Sequence, residues 1–291
     1  MVLLFGSRSQ LGVSFLKNTS FKTLSFNSDQ FNALKISNLE LFLDSLENKF
    51  DIILNFISNN DVENCNREEA NIVNCQFPEK LANYCKKNNK ILIHLSSDYV
   101  FDGNTGSYIE DSSINPLNTY GISKASGEEA IKNSGCNFFI LRTSWLYSHL
   151  KTQNNFLNKI VSLANDESIG ELYGADDVFG SPTSCSTVSN CIELIIQNIY
   201  KSIHKDLINF GIYNIVDTGR VSRFEFMQEA LKLLRIRYSL EKKIFPVKSD
   251  HFKSNIIRPV DTSLLNSKFS KVYAYNFQLW SSSLKVEVEK L

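Results

Sequence analysis

The sequence has no excess of charge of either sign. Its 291 residues include 31 lysines and arginines and 31 aspartates and glutamates, so the formal net charge is zero. Proteins that bind nucleic acids normally carry a basic excess or cluster their basic residues on one face, and this chain does neither. We therefore expect no nucleic-acid partner.

Long apolar runs are also missing. The apolar run at residues 1–5 is far too short for a signal peptide or a membrane span. No other stretch approaches the roughly 20 apolar residues that a spanning helix needs. We expect a cytoplasmic protein with no membrane partner.

Closely spaced metal ligands are absent as well. The six cysteines include no CxxC pair, and the four histidines are isolated from one another. Without a secretion signal, this spacing favours reduced, mostly buried thiols over disulfides or zinc. The sequence predicts no metal site.

What the chain does contain is a regular alternation of strand-like and helix-like segments. It is 43% hydrophobic, which is enough for one large domain or two small ones. Short apolar runs predict strands at residues 2–5, 22–26, 52–56, 91–97 and 138–144. Helical patterns lie between them at 11–17, 38–48, 66–86 and 119–133. This order predicts βαβ units in a doubly wound parallel α/β sheet, whose ligands bind beyond the carboxyl ends of the strands.

The second half of the chain is more mixed. Helical patterns at 154–164, 186–200 and 222–235 accompany a predicted strand at 211–216. Residues 261–265 read as the start of a helix, and a final amphipathic stretch follows. We interpret this half mainly as a smaller, discontinuous α/β lobe that closes over the sheet.

A glycine-containing turn follows the first predicted strand and opens a helix. Gly6, Ser9 and Gly12 have the spacing of a GxxGxxG turn whose middle glycine is replaced. Such a turn brings the backbone close to a pyrophosphate and points a helix N-terminus at its charge. Ser9 is small enough for this role but is strained if its position needs a positive φ. A strand-end turn without a ligand is the alternative, so the motif is weak by itself.

A tyrosine and a lysine four residues apart form the second motif. Tyr120 and Lys124 lie on one face of a predicted helix, downstream of Ser97 at a strand end. Reduction of a carbonyl needs a proton donor, and the pKa of a free tyrosine, near 10, is too high for easy proton transfer at neutral pH. A nearby ammonium favours the phenolate, while a serine hydroxyl can hold the substrate oxygen. The Tyr-x-x-x-Lys spacing is common by chance, and its place after a Rossmann-like half gives it weight.

With these motifs in place, the sequence resembles the dTDP-4-dehydrorhamnose reductase family of extended short-chain dehydrogenases. The resemblance runs in order through nearly the whole chain. Its motifs are SSDYVFDG (96–103), PLNTYGISKASGE (116–128), LRTSWLY (141–147), NNF (154–156), DVFGSPT (177–183), GIY (211–213) and RPVDTSL (258–264).

The resemblance implies roles for individual residues. Catalysis falls to Ser97, Tyr120 and Lys124. The cofactor site comprises Gly6, Ser9, Gln10, Leu11, Gly12, Asn27, Ser58, Asn59, Tyr120 and Lys124. The substrate site comprises Ser97, Asp98, Tyr99, Trp145, Asn155 and Arg258, with Arg258 at the substrate pyrophosphate. Core packing is the alternative for Trp145, a surface salt bridge for Arg258 and a helix cap for Asn155.

We also expect the chain to form two parts, one that binds the cofactor and one that binds the substrate. Residues 1–145, with about 184–216 returning to them, form a dinucleotide-binding domain. Residues 146–183 and 217–291 form the substrate-binding lobe. We expect a monomer or a homodimer.

Three single positions depart from the family pattern, and the segment after the third strand, residues 55–60, is bulkier and more polar than the family's small, alanine-rich one. Ser9 replaces the middle glycine, Lys35 stands near an expected aspartate, and Val178 stands where a glutamine is expected. They bear on cofactor preference and on the sugar. Asn27, not a carboxylate, follows the second strand, and with Arg8 and Lys35 nearby this slightly favours NADP(H) over NAD(H).

Three functions remain open from the sequence. The first is NAD(P)H-dependent reduction of the 4-keto group of a nucleotide-activated 6-deoxy sugar, supplying surface polysaccharide synthesis. The second is another nucleotide-sugar reductase, epimerase or dehydratase of the same fold. The third is a non-catalytic NAD(P)-binding regulatory subunit, which the altered cofactor turn favours and the complete Ser-Tyr-Lys set disfavours.

Overall fold

The structure, a computed structural model, describes residues 1–46, 49–150, 155–202, 207–238 and 242–291. Residue 154, part of one sequence motif and of one predicted helix, lies outside this range. The strands are β1 Val2–Phe5, β2 Thr23–Phe26, β3 Ile52–Asn55, β4 Ile91–Ser97, β5 Asn137–Thr143, β6 Leu146–Tyr147, β7 Glu171–Ala175, β8 Phe179–Gly180, β9 Thr183–Ser184, β10 Gly211–Asn214, β11 Val221–Ser222 and β12 Lys243–Val247. The α-helices are α1 Gln10–Asn18, α2 Leu39–Asp44, α3 Arg67–Asn71, α4 Phe77–Lys87, α5 Thr119–Ser134, α6 Phe156–Asn165, α7 Cys185–Lys201, α8 Arg223–Tyr238, α9 Ser267–Tyr273 and α10 Trp280–Glu289.

Six parallel strands form the central sheet in the order β10-β5-β4-β3-β1-β2. All four residues of β1 and of β3 are buried, because helices cover both faces of the sheet. The chain runs outward from β1 to β2 and then resumes on the other side of β1 with β3. This reversal is the point at which doubly wound sheets bind ligands. The predicted doubly wound α/β fold is confirmed.

Two apolar clusters hold the helices against the sheet. On one face, Leu11 and Phe15 of α1 join apolar residues of α7 against β1, β3 and β5. On the other face, Leu39 of α2 and Leu81 of α4 pack against the alternate residues of the same strands. The strand period of two thus places successive side chains in opposite layers.

The predicted helix at 66–86 is interrupted. Helix α3 passes into a π-helical turn, Ile72–Gln76, before α4 begins with Pro78 in its first turn. A proline at 78 lacks the N–H that would bond the carbonyl of Asn74 in a continuous α-helix, and its ring would crowd that carbonyl. The wider turn avoids the clash, and single π turns are frequent at functional sites.

Small sheets and three helices form the remaining lobe. Strand β12 pairs with β7 in parallel and β11 pairs with β8 antiparallel, and a separate core joins α6, α8 and α10. Sequence reasoning missed β7 and β12, because these short strands at the protein surface alternate irregularly between buried and exposed residues.

The predicted helix start at 261–265 was wrong. This segment is extended, and α9 begins only at Ser267. Its backbone amides bond elsewhere: that of Thr262 to Phe179, that of Leu264 to the hydroxyl of Ser181, and that of Leu265 to Tyr108. Tertiary hydrogen bonds therefore replace the helical ones that the local sequence favours.

The described ranges contain neither a membrane-spanning helix nor a cluster of metal-binding side chains. No helix there is both long enough and apolar enough to cross a bilayer. The same ranges hold no group of three or more histidine, cysteine or acidic residues that could bind a metal ion. All six cysteines are free thiols.

Candidate active site

The glycine turn lies between the end of β1 and the start of α1. Gly6 has φ +89°, and a Cβ there would lie 3.0 Å from the backbone of Phe56. A Cβ on Gly12 would lie 2.3 Å from the carbonyl oxygen of Gly6. Both glycines are required by the backbone itself, so the turn has the close approach that a pyrophosphate site needs.

Ser9 is not strained in this turn. Its φ of −65° is ordinary for any residue, and it serves as the N-cap of α1. Its hydroxyl donates to the carbonyl of Gly6 at 2.8 Å and accepts from the amide of Gly12 at 3.0 Å. The middle position of the turn therefore does not need glycine here, and serine adds a capping interaction.

Gln10 presents an unused acceptor beside the turn. Its amide nitrogen donates to the carbonyl of Leu146 at 3.2 Å, while its Oε1 is buried and has no partner among the described residues. A buried acceptor without a donor costs free energy, which a ligand hydroxyl or amide can recover. The next residue, Leu11, packs its side chain in the core, so only its backbone is available to a ligand.

The segment after β3 is organised by Asn74, which is fully buried in the π-helical turn. Its Oδ1 accepts from the hydroxyl of Ser58 and the amide of Asn59, and its Nδ2 donates to the carbonyl of Asn59 and the hydroxyl of Ser123. The structure thus brings the predicted pair Ser58 and Asn59 to the helix that carries Tyr120.

Asn27 and its neighbours lie at the end of β2. The Asn27 side chain accepts from the amide of Asp29, whose carboxylate pairs with Arg8 at 2.5 Å on the surface. The Arg8 guanidinium beside β2 is therefore already opposed by a carboxylate three residues after the strand. Lys35 is exposed and caps a short 3₁₀ turn.

Ser97, Tyr120 and Lys124 meet at the carboxyl end of β4. Ser97 is the last residue of that strand, and the other two lie one turn apart on α5. Burial raises the pKa of Tyr120 to about 12, although hydrogen bonding with Ser97 and Ser58 lowers it. The shift is upward, opposite to the direction expected from Lys124 alone, because the phenolate loses solvation.

Lys124 lies one turn after Tyr120 on α5 and is tied to β4 by a hydrogen bond. Its Nζ donates to the carbonyl of Leu95 at 2.6 Å, and only 1% of the residue is exposed. Burial lowers its pKa to about 8, and the nearby carboxylate of Glu128 opposes that shift. The ammonium is therefore poised to change its charge just above neutral pH.

Asp98 joins three segments of the chain. Its carboxylate accepts from the hydroxyls of Ser97 at 3.1 Å, Ser144 at 2.7 Å and Thr262 at 2.5 Å. Burial raises its pKa, and these hydrogen bonds counteract the shift. Every hydroxyl of the cluster is thus oriented by one buried carboxyl group, next to the candidate catalytic residues.

Tyr99 connects the candidate catalytic residues to Arg258. Its ring meets that of Tyr120 edge-on at 5.6 Å, and its hydroxyl accepts from the Arg258 guanidinium at 3.2 Å. Arg258 also pairs with Glu63 at 2.5 Å across a partly exposed surface. The predicted alternative for Arg258, a surface salt bridge, is present, and its position beside Tyr99 also suits a substrate role.

Trp145 is held in an unusual conformation. Its φ is +43°, which is rare for a bulky residue and marks a position fixed by its surroundings. Gly180 has no room for a Cβ, because one would lie 2.4 Å from the indole ring. The same indole ring also contacts Arg223, whose guanidinium carbon lies 3.5 Å from the ring centroid.

Asn155 is the N-cap of α6. Its Oδ1 accepts from the amides of Leu157 and Asn158, and its Nδ2 donates to the carbonyl of Ser148 at 2.5 Å. The capping alternative is therefore observed, and a substrate contact stays a prediction.

A family model described as the RmlD substrate binding domain matches residues 1–291. The chain belongs to this family. The dTDP-4-dehydrorhamnose reductase of Aggregatibacter actinomycetemcomitans is 28% identical over 98% of this chain and 97% of its own length. SpsK of Bacillus subtilis, a spore coat polysaccharide biosynthesis protein, is 27% identical over 89% of this chain and 86% of its own.

Solved structures agree with this membership. The dTDP-4-dehydrorhamnose reductase of Yersinia enterocolitica has 27% identity and a TM-score of 0.85, covering 99% of this chain and 98% of its own. The Bacillus anthracis reductase, solved in complex with NADP, has the same fold, with 24% identity, a TM-score of 0.87 and coverage of 100% and 99%. The family predicted from the sequence motifs is confirmed.

Four residues at this site of the RmlD family member escaped sequence reasoning: Asn74, Ser144, Arg223 and Thr262. Each contacts or lies close to a candidate residue. Ser144 and Thr262 stand in two of the family motifs without an assigned role there, whereas Asn74 and Arg223 stand in none of them. Thr262 lay in a segment wrongly predicted as helical. Asn74 had a signal in Pro78, since a proline inside a helical pattern marks a distorted turn.

Proposed function

We propose that this chain reduces the 4-keto group of a nucleotide-activated 6-deoxy sugar with NAD(P)H, as its curated relatives' names indicate for them. The observation that carries the proposal is the arrangement at the end of β4. There, the hydroxyl of Ser97 hydrogen-bonds that of Tyr120, and Lys124 is buried one helical turn farther along α5. A module that only binds a dinucleotide needs no such arrangement.

The residues of the glycine turn fit a dinucleotide. Gly12 leaves no room for a side chain against Gly6, and the buried Oε1 of Gln10 lacks a donor. Gly6, Ser9, Gly12 and Gln10 hold the cofactor, with Asn27, Ser58 and Asn59 farther along the edge. The bound nicotinamide supplies the hydride to the carbonyl carbon.

The protein residues handle the oxygen of the substrate. Ser97 donates a hydrogen bond to the carbonyl oxygen, and Tyr120 transfers its phenolic proton to that oxygen as the carbon is reduced. The result is a hydroxyl group and a phenolate, whose negative charge the Lys124 ammonium stabilises. Asp98 fixes the Ser97 hydroxyl, and the buried surroundings exclude water from the reaction.

The two parts of the chain divide binding between them. Residues 1–145 and about 184–216, which supply the six-stranded sheet, hold the dinucleotide. Residues 146–183 and 217–291 hold the sugar nucleotide, with Trp145 and Arg258 at the boundary. NADP(H) is the favoured cofactor, because Asn27 takes the place of a carboxylate at the end of β2.

The direct test follows the absorbance of reduced nicotinamide in purified protein with enzymatically prepared dTDP-4-dehydro-L-rhamnose. We expect oxidation that depends on the sugar, and faster turnover with NADPH than with NADH. Faster turnover with NADH would overturn the cofactor preference alone.

Failure of the main proposal has a clear form. Protein that binds NADPH but oxidises none of it with this sugar would exclude the proposed substrate. A panel of other nucleotide sugars would then separate a different reductase from a regulatory subunit that binds the cofactor without turnover.

A further inference from the structure

Arg223 lies beside the candidate active site, where aromatic rings contact its guanidinium. Its guanidinium lies 3.5 Å from the Trp145 ring and 4.8 Å from the Phe156 ring. Among the described residues, no carboxylate or carbonyl accepts a hydrogen bond from this guanidinium; its backbone amide bonds to Val178. Two aromatic side chains thus hold the planar group in place while its five N–H donors go unused.

The nearest carboxylate does not satisfy Arg223. Asp98 lies within electrostatic range of it, but both carboxylate oxygens of Asp98 already accept from hydroxyl groups. Burial also raises the pKa of Asp98 and so disfavours its charged form. Among the described residues, Arg223 therefore forms no direct ion pair with Asp98, which acts on it only at longer range.

A second arginine, Arg258, lies close by, and its own charge is paired with Glu63. Burial lowers the pKa of Arg223 to about 10, and the nearby positive charge of Arg258 adds to that downward shift. Tyr99 lies near both arginines and favours their charged forms. Two like charges drawn together in a partly buried site repel each other, and an anion between them removes the repulsion.

We propose that Arg223 binds the diphosphate of the nucleotide-sugar substrate together with Arg258, as a residue that determines affinity and specificity for a nucleoside diphosphate. This inference rests on the proposed function. A diphosphate offers several oxygens on two phosphorus atoms, which matches two planar guanidinium forks. The position is suitable, since Tyr99 packs against both Tyr120 and Arg258 and so places the anion beside the reacting sugar.

The stacking explains why an arginine and not a lysine serves here. The faces of Trp145 and Phe156 fix the plane of the guanidinium and shield it from water. A lysine ammonium keeps the charge but has no fork and stacks less well.

The test compares Arg223→Gln, Arg223→Lys and Arg235→Gln. Arg235 lies on the same helix, α8, and bonds the carbonyl of Lys242 on the exposed surface, so its replacement removes one arginine charge without touching the site. Calorimetry measures the Kd for dTDP, dTMP and NADPH, and steady-state kinetics gives KM and kcat for the sugar nucleotide.

We expect Arg223→Gln to weaken dTDP at least about tenfold, since charge-assisted hydrogen bonds are lost. Binding of dTMP falls less, because dTMP lacks the second phosphate. Arg223→Lys restores part of the dTDP affinity. KM for the sugar nucleotide rises more than kcat falls, while NADPH binding and all constants of Arg235→Gln stay within about twofold.

The outcomes separate this inference from the proposed function. Unchanged dTDP affinity and KM in Arg223→Gln, with intact NADPH binding as proof of folding, overturn the role of Arg223 but leave the reductase standing. Arg223-dependent dTDP binding without reduction of any sugar supports the anion site and overturns the reaction. Wild-type protein that binds neither dTDP nor another nucleoside diphosphate overturns both.

Discussion

The ammonium of Lys124 donates a 2.6 Å hydrogen bond to the carbonyl oxygen of Leu95, two residues before Ser97 on the same strand. The lysine on α5 is thereby fixed to β4, and the two elements that carry Ser97 and Tyr120 are tied together. The same burial that fixes Lys124 lowers its pKa to about 8 and raises that of Tyr120 to about 12.

These two pKa shifts predict the alkaline limb of the pH profile. Tyr120 remains protonated throughout the neutral range, whereas Lys124 loses its charge near pH 8. We expect kcat/KM for NADPH, which reports the free enzyme, to fall above about pH 8. Arg keeps its charge to a much higher pH, so Lys124→Arg, if active, moves this limb upward. An unchanged limb in that variant assigns it to another group.

Tyr120→Phe removes the proton donor and little else. The phenyl ring that remains keeps the edge-on contact with Tyr99, so the fold and the affinity for NADPH are expected to persist. The rate of sugar reduction falls about 10²–10⁴-fold, the usual contribution of one acid–base group. Single-turnover oxidation of NADPH measures this loss. A variant that retains the wild-type rate would falsify the assignment of Tyr120.

The sheet could be predicted from the sequence because its strands are short, apolar and buried on both faces. Residues 91–97 were bounded correctly, and the other strands of the sheet to within two residues. The same signal fails at residues 261–265, where hydrogen bonds to distant segments decide the conformation. Local propensity carries no information about those partners.

Some residues of the candidate site could also be predicted from the sequence, and others could not. Ser97, Tyr120 and Lys124 could be recognised because their spacing within a helix and at a strand end is fixed locally. Arg223 could not, since it is brought to Trp145 only by the packing of α8 against the lobe. Its stacking on Trp145 and Phe156 depends on the folded structure and leaves no local pattern in the sequence.

Ser9 offers a test of the cofactor turn. Because its φ is −65°, the backbone at this position is unstrained for any residue type, and the main contribution of Ser9 is the cap on Gly12. We expect Ser9→Ala to lower the free energy of unfolding by about 1 kcal/mol, and Ser9→Gly by only a few tenths. Urea unfolding measures both. If Ser9→Gly is strongly stabilising, the backbone there favours a conformation other than the one observed.

Gly12 leaves no such freedom. A Cβ at this position would lie 2.3 Å from the carbonyl of Gly6, so Gly12→Ala must displace the turn. We expect NADPH affinity to fall at least about tenfold, which fluorescence titration measures. Gly170→Ala is the matched control: a Cβ there meets nothing within 4 Å, and this variant should keep its affinity. Equal affinities in both variants would contradict the close approach in the turn.

The buried ion pair of Glu128 and Arg142 connects α5, which carries Tyr120 and Lys124, to β5. Arg142 donates to the Glu128 carboxylate at 2.7 and 2.9 Å, and the hydroxyl of Ser96 adds a bond of 2.5 Å, with neither charged residue more than 1% exposed. Glu128→Gln leaves the Arg142 charge buried without its counter-charge. Breaking such a pair costs about 3–5 kcal/mol of unfolding free energy.

The neighbouring Glu129 provides the control, since it lies on the surface and its ion pair with Lys132 is exposed. Glu129→Gln should change the unfolding free energy by no more than about 0.5 kcal/mol, and urea unfolding at one pH compares the two variants directly. If Glu128→Gln is as stable as Glu129→Gln, the Arg142 charge must find another partner. The Glu128–Arg142 pair would then not be what stabilises the contact between α5 and β5.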